Sequence, residues 1–437
     1  MADYLVTSFG ASPDAVPSVN ANAIQQALDA ANEAGGGRVT VPAGLYRTGT
    51  IRLRSHVEFH LEQGAVLLAS EDPADYNKPD EYPENGPCAA EQWTAEHLII
   101  ANRVEDVSLT GPGIIDGNSE AFFGEVEILN WVGAWRAGIR WSKDKKRLRP
   151  GQLIVFILSK DIRVDGIFVR NSTCWSLFFH GCDNVIVRNY RVKNGCADAN
   201  TDGIDIDSCR NVTVSDCIID TGDDAIAIRG NDTRLPQPKA CENIVITNCV
   251  LAANSAGTRI GVGMGTVRNV EMSNLIFSRT GTGVIVQSSY TKGHEKGVDI
   301  SFVRIHHCTF RETGEFLSIC PGDDHAKASI HDISIQNCRF EAFGNIWIMG
   351  SGPQRLKNIT LRDCEFVMDP DPKTGKFFVM PKLMYVKNAD SVFFRDCKVL
   401  NESGEGDPRS PVLSFNDVPD LRIEGCNFPT EQEQAEE

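Results

Sequence analysis

Apolar and polar residues alternate with period two in short runs along most of this chain, and the runs recur at a near-constant interval. In order they read "NVIVRNYRV", "NVTVSDCII", "NIVITNCVL", "NVEMSNLIF", "DISIQNCRF", "NITLRDCEF" and "SVFFRDCKV". Taking the first apolar residue as marker gives Val185, Val212, Ile244, Val270, Val303, Ile333, Ile359, Val392 and Leu421, in steps of 26 to 33 residues. "DVSLTGPGI" near Val107 and "DIRVDGIFV" near Ile162 extend the series backward. A period of this size denotes a solenoid, and each unit holds only short strands joined by Asn, Asp and Gly turns. The pattern predicts an all-β chain: a single-domain right-handed parallel β-helix over residues 1–430.

A solenoid needs a cap at its open end. "NANAIQQALDAANEAGGG" predicts a capping helix over 20–35, with Asn20 or Asn22 as N-cap, Ile24, Ala27, Leu28 and Ala31 on one face, and a glycine end at Gly35. Cys217, Cys249, Cys308, Cys338, Cys364, Cys397 and Cys426 share one repeat position, which reads as an interior stack of small apolar side chains. The Asn residues beside the strands read as a turn ladder. The repeat is interrupted over 119–150, where Trp131, Trp135 and Trp141 suit either a sugar face or a small satellite core; this insertion is expected beside a cleft. Residues 431–437 read as an acidic, disordered tail.

Composition narrows the partners. A formal net charge of −16 over 437 residues disfavours nucleic acid and anionic membranes. No apolar run approaches a membrane span, and the opening "MADYLVTSFGASPD" lacks the basic and apolar regions of a secretory leader. The 14 cysteines are scattered and contain no C-x-x-C pair, which argues for reduced thiols and a cytoplasmic location.

Superposing coils brings acids together. Ten residues past the marker, "GDDAIAIR" at Gly222 aligns with "TGTGVIVQ" at Thr280 and "TGEFLSIC" at Thr313, while the preceding coil aligns as "NTDGIDI". Asp202 then stands over Asp224 and Thr201 over Asp223, one strand spacing of about 4.8 Å apart. Carboxylates packed so closely repel, and at least one is expected to hold its proton more tightly. One protonated acid beside carboxylates that activate water is the equipment of glycosidic hydrolysis. Turn aspartates that cap strands or bind calcium are the plainer alternative.

With these motifs, the "GGGRVTVPAGLYRTGTIRLRSHVEFHLEQGAVLLAS" entry, "RPGQLIVF" and "NSTCWSLFFHGCDNVIV", the sequence resembles glycoside hydrolase family 28, the polygalacturonase family. The resemblance implies a β-helix that hydrolyses glycosidic bonds with inversion and without a cofactor, on an oligosaccharide or polysaccharide substrate. It makes Asp223 the general acid, with Asp202 and Asp224 holding the attacking water. Two departures stand out. Ala256 occupies the His position of the family's Gly-His-Gly motif, and Ile285 and Gln287 replace the Arg and Lys of its Arg-Ile-Lys motif. That basic pair is expected to hold a galacturonate carboxylate, so its loss points to a neutral or decorated sugar unless Arg259 or Arg229 supplies the charge.

Other candidates are less anchored. Glu315 falls in the column of Asp224 and Tyr290 follows the altered strand, so both are candidate substrate contacts with Gln287. Trp175 and His180 lie one turn before the NTD coil, Trp175 as cleft lining or as packing. Asp323, Asp324 and His325 share a turn, but no recognisable ligand spacing surrounds them, so no metal is expected. Two other functions fit the same scaffold: a non-catalytic carbohydrate-binding β-helix, and a polysaccharide lyase or epimerase.

Overall fold

The computed structural model describes residues 2–124, 148–195, 199–290, 296–322, 328–342, 345–368, 382–400, 412–428 and 430–432. Trp131, Trp135, Trp141, Asp323, Asp324 and His325 lie outside them. The chain is a right-handed parallel β-helix, and it divides into two compact units. The first holds the described residues up to Asp224 with 234–236; the second holds 225–233 and those from Gln237 onward.

In the first unit three ladders of parallel strands run side by side. One joins Asp3–Leu5, Gly37–Val41, Val57–Leu61, Glu105–Thr110, Lys160–Asp165, Asp183–Arg188 and Arg210–Ser215. A second joins Ile51–Arg52, Ile99–Asn102, Ile154–Ile157, Leu177–His180 and Ile204–Asp207. A third joins Gly44–Thr48, Ala65–Ala69, Ile114–Asp116, Phe168–Arg170, Arg191–Lys193 and Ile218–Thr221. The second unit repeats the scheme. Two of its coils fuse two strands into one, Val250–Gly263 and Ile276–Gln287, with irregular register between Leu251 and Ala256.

The sequence markers are the register. Val107 pairs with Ile162, Ile162 with Val185 and Val185 with Val212. In the second unit Ile244, Val270, Val303, Ile333, Ile359, Val392 and Leu421 pair in unbroken succession. A slip of one residue would turn each apolar column outward, so burial fixes the alignment. Interior columns therefore hold like on like: Phe277, Phe310, Phe340 and Phe366 stack with centroids 4.4, 4.5 and 5.0 Å apart. Of the seven repeat cysteines, six are buried as an interior position requires, and Cys426 is half-buried. At the corners Asn184, Asn211, Asn243 and Asn269 adopt φ of 55 to 60°, the left-handed region that Asn tolerates best after Gly. The Asn211 amide donates to Asn184 Oδ1 (3.0 Å) and Asn269 to Asn243 (3.2 Å), which is the predicted turn ladder.

Two expectations need correction. The capping helix spans Pro17–Glu33, one turn earlier than the motif suggested, with Val16 as an N-cap that makes no side-chain bond. Pro17 fits the first turn because its missing N–H is unneeded there. Asn20 is inside the helix and fully buried, accepting from Ser12 N–H (2.9 Å) and donating to the Arg47 carbonyl (3.0 Å). The apolar face and the glycine end hold: Gly36 N–H donates to the Ala31 carbonyl (2.9 Å), and Gly35 has φ 87°. Residues 431 and 432, expected in a disordered tail, belong instead to the strand Thr430–Gln432, which pairs with Leu413–Asn416, while residues 433–437 lie outside the described ones.

Candidate active site

Asp202, Asp223 and Asp224 sit on two successive turns of the first unit, and one carboxylate oxygen of each lies within 4.8 Å of the others. Main-chain bonds stack these turns: Ser176 N–H donates to the Asp202 carbonyl (2.8 Å) and Gly203 N–H to the Asp224 carbonyl (3.0 Å). Thr201 and Thr221 lock them locally. Thr201 Oγ1 accepts from Gly222 N–H (3.2 Å), and Thr221 Oγ1 donates to the Asp223 carbonyl (2.9 Å). Asp202 and Asp224 are buried, whereas Asp223 is partly open to solvent. Asp223 Oδ2 accepts the main-chain N–H of Asn200 at 2.9 Å. Three carboxylates in one small volume offer proton transfer and the grip on a single water that counting coils anticipated.

The wall beside this turn was not legible in advance. Trp175 is buried and makes edge contacts with Trp93 (5.9 Å) and Phe178 (5.1 Å) in a cluster with Tyr82, Val155 and Ile157. Packing therefore accounts for it. His180 is also buried, its Nδ1 3.7 Å from Asp207 Oδ2. His97 is fully enclosed, with Nδ1 2.7 Å from the Gln152 carbonyl and Nε2 3.2 Å from the Asn85 amide. Burial pulls its pKa down to about 4. Arg149 is wholly buried too, and no motif had marked it individually.

The remaining candidates belong to the second unit. Ile226 pairs with Thr258, and Ala225 N–H donates to the Ala256 carbonyl (2.8 Å), so Ala256 occupies the position assigned to it by coil counting. Arg259 pairs with Ile285 on the next strand, and Gln287 pairs with Gly261 and Cys320. The Arg259 guanidinium donates to Ser255 Oγ (3.2 Å) and lies 4.9 Å from the ring of Tyr290, which is 53% exposed. Glu315 pairs with Thr282, whose Oγ1 donates to it (3.3 Å); burial raises its pKa against the bonds from Thr282 and Trp347. Trp347 in turn stacks on Tyr385 at 4.7 Å. Arg229 is half-buried on Ile226–Gly230.

Known proteins resemble this chain to different extents. The family model for glycosyl hydrolases family 28 matches residues 37–235, which include all three aspartates. A probable polygalacturonase of Vitis vinifera is 28% identical over 63% of this chain and 55% of its own length. An endo-polygalacturonase of Pectobacterium carotovorum subsp. carotovorum is 27% identical over 80% of this chain and 85% of its own. The chain thus spans about half the length of the Vitis relative and most of the Pectobacterium one. In structure, an exopolygalacturonase of Thermotoga maritima superposes with a TM-score of 0.70 at 19% identity, covering 92% of each chain, which reports a common fold. With the NTD and GDD acids stacked as the motifs require, residues 37–235 of this chain match glycoside hydrolase family 28.

Proposed function

We propose that the protein is an inverting glycoside hydrolase of the polygalacturonase type, acting on pectin-derived or related oligosaccharides. The observation that carries this reading is the convergence of Asp202, Asp223 and Asp224 within 4.8 Å. Asp223, the most open of the three, gives its proton to the leaving glycosidic oxygen. Asp202 and Asp224 hold the water, and one of them takes its proton as it attacks the anomeric carbon. A purely binding surface gains nothing from three mutually repelling carboxylates, whereas acid–base catalysis needs one group that gives a proton beside another that takes one.

Ile285 and Gln287 offer no cation, so Arg259 is the group that pairs with a uronate carboxylate, steadied by Ser255 and the Tyr290 ring. The apolar Ile285 leaves a place for a neutral or decorated sugar. The substrate class is then a mixed oligosaccharide with at least one uronate.

The test is a product profile by anion-exchange chromatography on oligogalacturonides, rhamnogalacturonan fragments and neutral oligosaccharides. Wild type is expected to cleave uronate-containing chains, and Asp223→Asn to lose turnover on the order of 10²–10⁴-fold. Residual activity at a tenth of wild type rules Asp223 out as the acid.

A further inference from the structure

Arg149 is among the largest fully buried side chains of the protein. Its guanidinium carries five N–H donors and cannot shed its charge, so burial is tolerable only if acceptors surround it. Among the described residues no carboxylate does so. Nη1 donates to the Thr173 carbonyl and to the Ala199 carbonyl (3.3 Å); Nη2 donates to the Glu91 carbonyl (3.0 Å) and to Asn200 Oδ1 (2.7 Å). The Phe123 ring lies 5.4 Å from its central carbon.

Two of these four acceptors flank a single peptide bond. The Ala199 carbonyl and the Asn200 N–H belong to the same planar amide, and that N–H is the donor to Asp223 Oδ2. Arg149 therefore grips the oxygen end of an amide whose nitrogen end grips Asp223, and it holds the Asn200 side chain as well. A cation on a carbonyl polarises its amide and strengthens the N–H as a donor. Asn200 sits at φ 56°, a conformation that Asn tolerates but that needs such support.

We propose that Arg149 is a positioning residue for Asp223: by clamping the Ala199–Asn200 amide it fixes the N–H that Oδ2 accepts and so holds the carboxyl in one orientation. Without the clamp, the acid spends part of its time facing the wrong way. The N–H bond also favours the ionised form, so its loss raises the Asp223 pKa.

The inference rests on the acid role proposed for Asp223, but its test includes a readout that needs no turnover. With ¹³C-labelled aspartate, the Asp223 carboxyl resonance is assigned by its disappearance in Asp223→Asn and titrated in wild type, Arg149→Lys, Arg149→Met and Asn200→Ala. In every variant that retains the wild-type circular dichroism the midpoint is expected to rise, by about half to one unit in Arg149→Met. The rise is smaller in Arg149→Lys, which keeps charge but not the fork. On a substrate the wild type cleaves, kcat is expected to fall by roughly 10- to 100-fold with KM changed less than about threefold. If Arg149→Met fails to fold, Arg149→Lys and Asn200→Ala carry the same test from the two ends of the clamp. An unchanged midpoint in folded variants overturns the proposal. Turnover surviving in Asp223→Asn removes Asp223 as the acid and leaves the titration to decide the clamp.

Discussion

Arg259 and Ile285 are register partners on adjacent strands, so the cation proposed to read a carboxylate stands beside the position that the family resemblance assigns to an arginine. A strand spacing of about 4.8 Å separates such partners, less than the reach of an arginine side chain. On the proposed reading, Arg259 offers its charge one coil away from that position.

Arg259→Gln should accordingly raise KM for oligogalacturonides about tenfold or more while leaving cleavage of carboxyl-reduced oligosaccharides nearly unchanged. Charge-assisted pairs of this type contribute about 1.5–3 kcal/mol. Tyr290→Ala should cost less, roughly two- to fivefold, in keeping with an exposed cation–π contact of about 0.5–1 kcal/mol. Equal losses on charged and reduced substrates would take Arg259 out of carboxylate recognition.

The spacing of the acids bears on stereochemistry. Oxygens within 4.8 Å are closer than the roughly 6.5–9.5 Å usual where one carboxylate activates a water on the far side of the sugar. On the proposed mechanism Asp202 and Asp224 share that water, and the water needs no wide gap. Proton NMR of the first product should show the anomer opposite to the substrate's, before mutarotation mixes the two. Retention would turn one of these acids into a nucleophile.

A pH-dependent weakness is built in at His97. His97 must be neutral to donate from Nδ1 to the Gln152 carbonyl and accept at Nε2 from Asn85. Its folded pKa of about 4 lies below the unfolded value of 6.5. The unfolded chain therefore takes up the proton first, and stability is lost as pH falls from about 6.5 towards 4. The full shift amounts to about 3 kcal/mol. Urea midpoints at pH 7, 5.5 and 4 should fall more steeply for wild type than for His97→Gln, which lacks the titration; parallel curves would remove His97 as the cause.

Period and burial wrote the coils into the sequence, because each marker from Val107 to Leu421 had to point inward, and the same count stacked Asp202 on Asp224. Local features were less legible. Asn20 looked like a cap but is a buried bridge between Ser12 and Arg47, a role set by residues eight and 27 positions away. Arg149 binds acceptors 24 to 58 residues distant, so the "RPG" motif named the place without its use. Trp175 stood open between cleft lining and packing in the sequence, and only the fold clusters it with Tyr82 and Trp93.

Glu315 separates a binding role from a structural one. Burial holds its proton more tightly than in the unfolded chain, despite the opposing bonds from Thr282 and Trp347. The folded protein is thus fully favoured while the group is protonated in both states, and it loses stability as pH rises through the raised folded pKa. Glu315→Gln keeps the shape without the charge, so its stability relative to wild type should grow between pH 4 and pH 7.5 in urea melts. If the acid only supports Trp347 and its stacking on Tyr385, KM stays within about twofold, as expected for a neutral acceptor replacing a charged one at an unchanged distance. A rise in KM beyond tenfold with unchanged kcat places Glu315 on the sugar itself, its buried carboxyl held for a substrate hydroxyl.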